Sequence, residues 1–271
     1  MINGGREYLP LFFEVQMLTV DQQERYARHL MLEGVGEAGQ KKLVDGSVLV
    51  IGAGGLGSPA LFYLVAAGVG RVGAVDSDRV ELSNLQRQIL HNTGKIGTLK
   101  VESAVAVLSP LNPEVELVIH STRAGRNNIE ELISGYDFVI DATDNFEAKF
   151  LINDACVSKK IPYSHGGILR YSGQTMTVIP GLSPCYRCIF PDAPEGEDAI
   201  ACSKAGVLGV LPGVIGTLQA TEAIKFLLGV GELLSGRLLT YDSASMKFRE
   251  VVVRRNHDCP VCGDRGDVLS R

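Results

Sequence analysis

The chain has 271 residues, enough for one large α/β unit or one and a half ordinary domains. A formal net charge of −5, with acids and bases interspersed, leaves no basic footprint for DNA or RNA. No Trp and only 6% aromatic residues argue against base-stacking platforms for single strands.

Residues 9–13 are apolar but contain Pro10, run into Glu14 and have no cleavage site behind them, so no secretion signal is read. The next pattern is a helix over Asp21–Leu32, capped by Thr19 or Asp21 and stopped at Gly34-Val35-Gly36. Arg25, Arg28 and His29 on it read, by spacing alone, as a solvated face. Ser47–Ile51 is a short β-branched run of the kind found in buried parallel strands. It breaks into Gly52-Ala53-Gly54-Gly55-Leu56-Gly57, a G-x-G-x-x-G turn, before a helix over Ser58–Ala67 and a second strand, Arg71–Val75, that ends at Asp76. Glycines at these places permit a tight turn whose free N–H groups hold phosphates, and an acid about twenty residues on is placed for ribose hydroxyls. The motif says nucleotide, with NAD the default.

The segment after Asp76 points elsewhere. A dehydrogenase continues into another helix and strand, whereas here a polar segment carries Asp78, Asn84, Arg87 and Gln88 to a glycine-bearing turn and Lys100. Lys100 opens a helix that stops at Asn112-Pro113. A strand over 114–120, a helix over 127–134 and a strand over 137–141 come next, the last running into Asp141-Ala142-Thr143-Asp144-Asn145. Arg and Lys beside a phosphate-binding turn neutralise several negative charges, and a carboxylate at the sheet edge can hold Mg²⁺. A surface ion pair explains any one of these residues, but Asn84, Arg87, Lys100 and Asp144 together favour ATP over a nicotinamide.

Phe146–Ser158 reads as a helix with Cys156 as a buried apolar residue, followed by strand-like runs at 161–163, 166–169 and 173–179. Cys185-x-x-Cys188 and Cys259-x-x-Cys262 fit a tetrahedral Cys₄ zinc site, structural because thiolates fill all four places. Residues 190–205 read as a mobile loop in which Cys202, beside Lys204, is either a nucleophile or incidental. The apolar stretch 207–230 contains Pro212, Glu222 and Lys225, so its helix over 214–228 reads as buried in protein and not as a membrane span. A hairpin-like pair, 237–241 and 247–253, closes the series. The fold class expected is α/β, a Rossmann-like mostly parallel sheet with helices on both faces, continued by a smaller mixed or antiparallel C-terminal half that the zinc site staples.

Taken together, RYARH, GAGGLGSP, the D-S-D and V-E-L-S-N-L-Q-R-Q runs, IGTLK, DATDN, PCYRC, ACSKAGVLGVLPGVIG and CPVCG resemble the MoeB/ThiF/HesA adenylyltransferases, prokaryotic relatives of the ubiquitin-activating enzymes, over residues 21–262. The resemblance implies ATP-dependent adenylation of the C-terminal glycine carboxylate of a small ubiquitin-fold sulfur carrier ending in Gly-Gly. A thiocarboxylate is then made for a molybdopterin, thiamine or tRNA-thiolation pathway. It implies nucleotide contacts from Gly52, Gly54, Gly55, Gly57, Asp76, Asp78, Asn84, Arg87, Gln88, Lys100, Asp144 and Asn145, with Mg²⁺ on Asp144. It also implies a catalytic set of Arg87, Lys100, Asp144, Arg28 reaching into the other subunit of a homodimer, and Cys202 as a covalent link in some members. Residues 1–18 are expected to be an extension, 19–165 the adenylation half and 166–271 the carrier-binding half of one compact cytoplasmic unit. No sulfurtransferase region follows, so the sulfur donor is expected to be separate. A catalytically silent nucleotide-binding scaffold, an amide-forming relative acting on a peptide and an NAD-dependent oxidoreductase are the alternatives.

Overall fold

The computed structural model describes residues 18–193 and 205–264. Three helices, α1 (Val20–Arg25), α2 (Ala27–Leu30) and α3 (Gly36–Asp45), lead into the first strand, β1 (Ser47–Ile51). Then come α4 (Gly57–Ala66), β2 (Arg71–Val75), α5 (Lys100–Leu111), β3 (Glu116–His120), α6 (Ile129–Ile133), β4 (Phe138–Asp141), α7 (Phe146–Lys159), β5 (Tyr163–Leu169) and β6 (Ser172–Val178). The chain ends in α8 (Leu211–Leu228), β7 (Arg237–Asp242) and β8 (Lys247–Val252).

The eight strands among the described residues form one sheet in the order β3-β2-β1-β4-β5-β6-β7-β8. The pairs β3–β2, β2–β1, β1–β4 and β4–β5 are parallel, whereas β5–β6, β6–β7 and β7–β8 are antiparallel. The order reverses between β1 and β4, where open α/β sheets leave a crevice at the carboxyl ends of their strands.

Every residue of β1 is buried, and the strand's period of two divides the core. Val48 and Val50 pack with Leu43, Leu61, Leu64, Phe138 and Ile215 on one face, while Leu49 and Ile51 pack with Ile133, Val139, Ile152, Met176 and Leu238 on the other. Helices α3, α4, α5 and α8 therefore cover one side and α6 and α7 the other. Glu222, the acid within α8, is buried: its Oε2 accepts from the Thr177 hydroxyl and the Leu234 N–H, both at 2.6 Å, and its Oε1 pairs with Lys225 at 2.5 Å. Among the described residues no helix is long and apolar enough to cross a membrane.

Three elements differ from the sequence reading. The helix expected over 21–32 is two short pieces, because the chain turns at Tyr26 to bury its ring, with the hydroxyl accepting from Asn112 Nδ2 at 2.8 Å. Its start is a capping box, Thr19 with Gln22. Helix α3 was not signalled, since only Gly39, Gln40 and Leu43 are buried and no apolar stripe shows. The runs at 161–163 and 166–169 are parts of one strand, β5, whose continuity is hidden by the buried polar residues Ser164 and His165.

Candidate active site

The turn after β1 is built by steric exclusion. Gly52 has φ +105°, and a Cβ there would stand 2.7 Å from the Ala142 carbonyl oxygen, so the turn lies directly against the loop that follows β4. A Cβ on Gly57 would overlap the Gly52 carbonyl, which fixes how tightly α4 springs from the turn. The Ala53 N–H donates to Asp76 Oδ2 at 2.9 Å; the N–H groups of Gly54, Gly55 and Leu56 have no acceptor among the described residues. Ser58 closes the first turn of α4 by donating from its backbone N–H to the Gly54 carbonyl at 2.9 Å.

Asp76 also accepts from the Asp78 N–H at 2.8 Å, and burial raises its pKa above the ordinary carboxylate value, opposed by Lys100 and these two N–H donors. Lys100, only 6% exposed, pairs with Asp78 at 2.8 Å, so the first turn of α5 stands beside the end of β2. Asn84 closes its own turn, its Oδ1 accepting from the Glu81 N–H at 3.2 Å, and its amide nitrogen has no partner among the described residues. Arg87 donates to the Ser83 carbonyl at 3.2 Å. Gln88 is 5% exposed, yet its Oε1 has no partner, and a Cβ on Gly54 would lie 3.5 Å from its Nε2. A buried unpaired acceptor costs about 1–3 kcal/mol, so beside a glycine turn it marks a place for a ligand's donor. Three unpartnered amide N–H groups, two cations and that acceptor fit a nucleotide triphosphate.

His91 escaped the sequence reading. Its Nε2 donates to the Ala53 carbonyl at 2.9 Å, so its Nδ1 is left to accept from the Ser103 hydroxyl at 2.9 Å. Burial lowers its pKa, so the ring is neutral at pH 7 and braces the glycine turn against α5.

On the other side of the turn a cleft of about 1610 Å³ opens along the carboxyl end of β4 and over β5–β8. Asp144 and Asn145 are the sequence candidates that line it. Asn145 caps α7, its Oδ1 accepting from the Ala148 N–H at 2.9 Å. Asp144 is exposed, and its carboxylate has no partner among the described residues, which suits a hard cation. Its neighbour Asp141 is unavailable: at 1% exposure it accepts from the Thr143 N–H and hydroxyl, from Lys149 at 3.3 Å and from His165 Nδ1 at 3.1 Å. Burial pushes the Asp141 pKa up, but Lys149 and His165 outweigh it and hold it at about 2. Lys149 also donates to the carbonyls of Thr143 at 2.7 Å and Gly166 at 2.6 Å, so this pair fixes the loop bearing Asp144. Lys149 and His165 carried no signal, because nothing in the sequence tells a buried ion pair from a solvated one.

Lys149→Met is expected to strand the Asp141 charge and lower stability by about 3–5 kcal/mol, with Asp141→Asn in the same chain recovering much of that loss. Thermal unfolding of the two variants beside wild type checks it. The Asp141 contribution is present above pH 3.8, its ordinary value, and is lost as pH falls towards 2.

Arg28, on α2, is exposed, has no partner among the described residues and does not line the cleft. Its neighbours in the motif are all engaged: Arg25 donates to the Leu111 carbonyl at 3.0 Å and His29 bonds Gln40 at 2.8 Å. Cys202, with most of the 190–205 loop, lies outside the described residues.

The four C-x-x-C thiols converge at the far end of the sheet. All lie within 4.8 Å of one another, with Cys185–Cys259 at 3.6 Å and Cys188–Cys262 at 3.4 Å. Disulfide sulfurs stand about 2.0 Å apart, whereas tetrahedral thiolates about 2.3 Å from a zinc ion stand about 3.8 Å apart, so the set fits a metal. The Asn256 N–H donates to Cys188 Sγ at 3.4 Å, as the outer shell of a thiolate site requires.

Residues 26–261 match the ThiF family profile. The chain belongs to the ThiF family. It is 49% identical over 249 residues to the SAMP-activating enzyme E1 of Haloferax volcanii, spanning 92% of both chains. It is 47% identical over 251 residues to the sulfur carrier protein adenylyltransferase of Thermus thermophilus, spanning 91% of this chain and 93% of that one. The adenylyltransferase and sulfurtransferase of Aedes aegypti is 45% identical, with the match filling 57% of its length. Crystal structures of E. coli MccB share the fold, with a TM-score of 0.80 at 23% identity for the complex with MccA-N7isoASN, covering 89% of this chain and 75% of that one. This ThiF-family fold places its glycine turn and cleft on the same sheet edge.

Proposed function

We propose that this ThiF-family protein is an adenylyltransferase that activates the C-terminal carboxylate of a small ubiquitin-like sulfur carrier with ATP. The observation that carries the reading is the pairing of sites across Gly52. Unpartnered amide N–H groups, Arg87 and Lys100 stand on one side; Asp144 and the cleft of about 1610 Å³ stand on the other. The carrier carboxylate oxygen attacks the α-phosphorus, the bond to the β-phosphate oxygen breaks, and pyrophosphate leaves with the acyl-adenylate behind. No side chain becomes covalent in that step, so positioning and charge stabilisation are the protein's whole contribution. Gly52, Gly54, Gly55 and Gly57 shape the phosphate turn; Asp76 and Gln88 take hydroxyls and donors of the nucleoside; Asn84, Arg87 and Lys100 hold the triphosphate, Lys100 exchanging Asp78 for phosphate oxygens. Asp144, beside Asn145, would hold Mg²⁺, and the ion would supply positive charge against the triphosphate. Sulfide released from a separate donor then attacks the acyl carbon, AMP leaves with the acyl oxygen bond broken, and the thiocarboxylate remains. Zinc on the four cysteines, residues 19–165 as the adenylation half, residues 166–271 as the carrier half, and a homodimer into which Arg28 reaches complete the reading. Arg28 supports that last element by being the unengaged cation of its motif.

ATP–pyrophosphate exchange with Mg²⁺, run with a panel of Gly-Gly-ended carrier proteins, tests it. Exchange that appears with one carrier supports adenylation and identifies the partner. ATP binding without exchange on any carrier would replace it with a scaffold role.

A further inference from the structure

Residues 206–210 do more than lead into α8. The Arg170 N–H donates to the Gly206 carbonyl at 3.1 Å and the Leu208 N–H to the Arg170 carbonyl at 3.0 Å, so residues 206–208 run as a short parallel bridge beside the β5–β6 turn. Arg170 is held there with φ +56°, a conformation disfavoured for a residue with a Cβ, and those two bonds fix it. One residue further on, Gly209 lies against the segment that carries Arg87: a Cβ on it would overlap both the backbone carbonyl oxygen and the side-chain oxygen of Gln86. Helix α8 begins at once and touches the opposite wall. A Cβ on Gly55 would stand 3.1 Å from Pro212 Cβ and 3.5 Å from Arg87 Cγ. The stem of Arg87 is thus confined between the glycine turn and the 206–212 segment.

We propose that Gly209 is a positioning residue: its missing side chain lets residues 206–212 seat the Gln86–Arg87 backbone, which sets where the Arg87 guanidinium stands relative to the glycine turn. This rests on the reading that Arg87 holds the triphosphate. A cavity of about 400 Å³ lies beside the contact, lined by Gln86, Arg87, Ile89, Leu208 and Val210. It gives the segment room to move, so a methyl group at 209 displaces Arg87 and leaves the fold in place. Two glycines nearby provide controls, because a Cβ on Gly206 or Gly213 would meet nothing within 4 Å.

The test is a double-mutant cycle read by calorimetric binding of MgATP, which needs no carrier, and by pyrophosphate exchange. Gly209→Ala is expected to weaken ATP binding and exchange roughly tenfold, while Gly206→Ala and Gly213→Ala stay at wild-type values. In a chain already carrying Arg87→Ala, Gly209→Ala is expected to cause no further loss, which a general structural disturbance would not reproduce. Losses that multiply, or a Gly209→Ala protein indistinguishable from the Gly213→Ala control, overturn the proposal. Should Gly209→Ala fail to fold, Gln86→Ala takes its place in the cycle, with a loss confined to chains that retain Arg87 expected and wild-type affinity overturning it. Failure of the adenylation reading shows separately, in wild-type protein that binds ATP but exchanges with no carrier.

Discussion

Replacing Arg87 by Ala is expected to lower ATP–pyrophosphate exchange by about two to three orders of magnitude while leaving the melting temperature within a few degrees of wild type. The guanidinium makes one hydrogen bond within its own turn, to the Ser83 carbonyl, and its loss leaves no buried partner stranded. Its value in this reading lies in the charge it sets against the triphosphate, which holds bound ATP and acts more strongly as pyrophosphate departs. Asp144→Ala is expected to behave alike, because an exposed carboxylate without a protein partner contributes little to folding. The two are separated by titrating the metal: excess Mg²⁺ recovers part of the Asp144→Ala loss and none of the Arg87→Ala loss. Exchange at the wild-type rate in either variant would remove that residue from the reaction.

The largest effect on stability is expected at the cysteines. Cys185 sits in the turn after β6 and Cys259 in the tail beyond β8, so a metal ion on the four thiols joins segments 74 residues apart. Cys185→Ser is expected to abolish stoichiometric zinc and to cost about 5 kcal/mol, which lowers the melting temperature of a chain of this size by about 10–20 °C. Chelation of wild-type protein gives the same shift. Zinc-free wild-type protein with an unchanged melting curve would show that packing alone holds the tail.

The elements legible in the sequence and those hidden in it have different physical origins. β1 and β2 were legible because both are short apolar runs punctuated by glycine or an acid, signals that depend on local chemistry. The placement of Asp76 at the end of β2, Lys100 at the start of α5 and the paired cysteines together was legible for the same reason: spacing restricts where such residues can stand. Residues whose role depends on distant partners were silent. His91 reads as a polar residue in a loop until Ala53 and Ser103 are seen on either side of it. Lys149 reads as a surface cation of α7 until Asp141 and two carbonyls surround it. Helix α3 buries too few residues to print a stripe, and the break at Tyr26 comes from a contact with Asn112, 86 residues away.

A single ladder joins the glycine turn to the far cysteines, because β4 and β5 are hydrogen-bonded neighbours in one sheet. Shearing one half against the other would break the bonds that pair Val139, Ile140 and Asp141 with Tyr163, Ser164 and His165, and Lys149 binds Gly166 across the same seam. Among the described residues the sheet runs unbroken through β4 and β5. Two-lobed kinases clamp their substrates by rotating domains; here the frame is stiff, and accommodation falls to side chains and to the connections at the strand ends. Scattering profiles with and without nucleotide should therefore superimpose even while turnover proceeds.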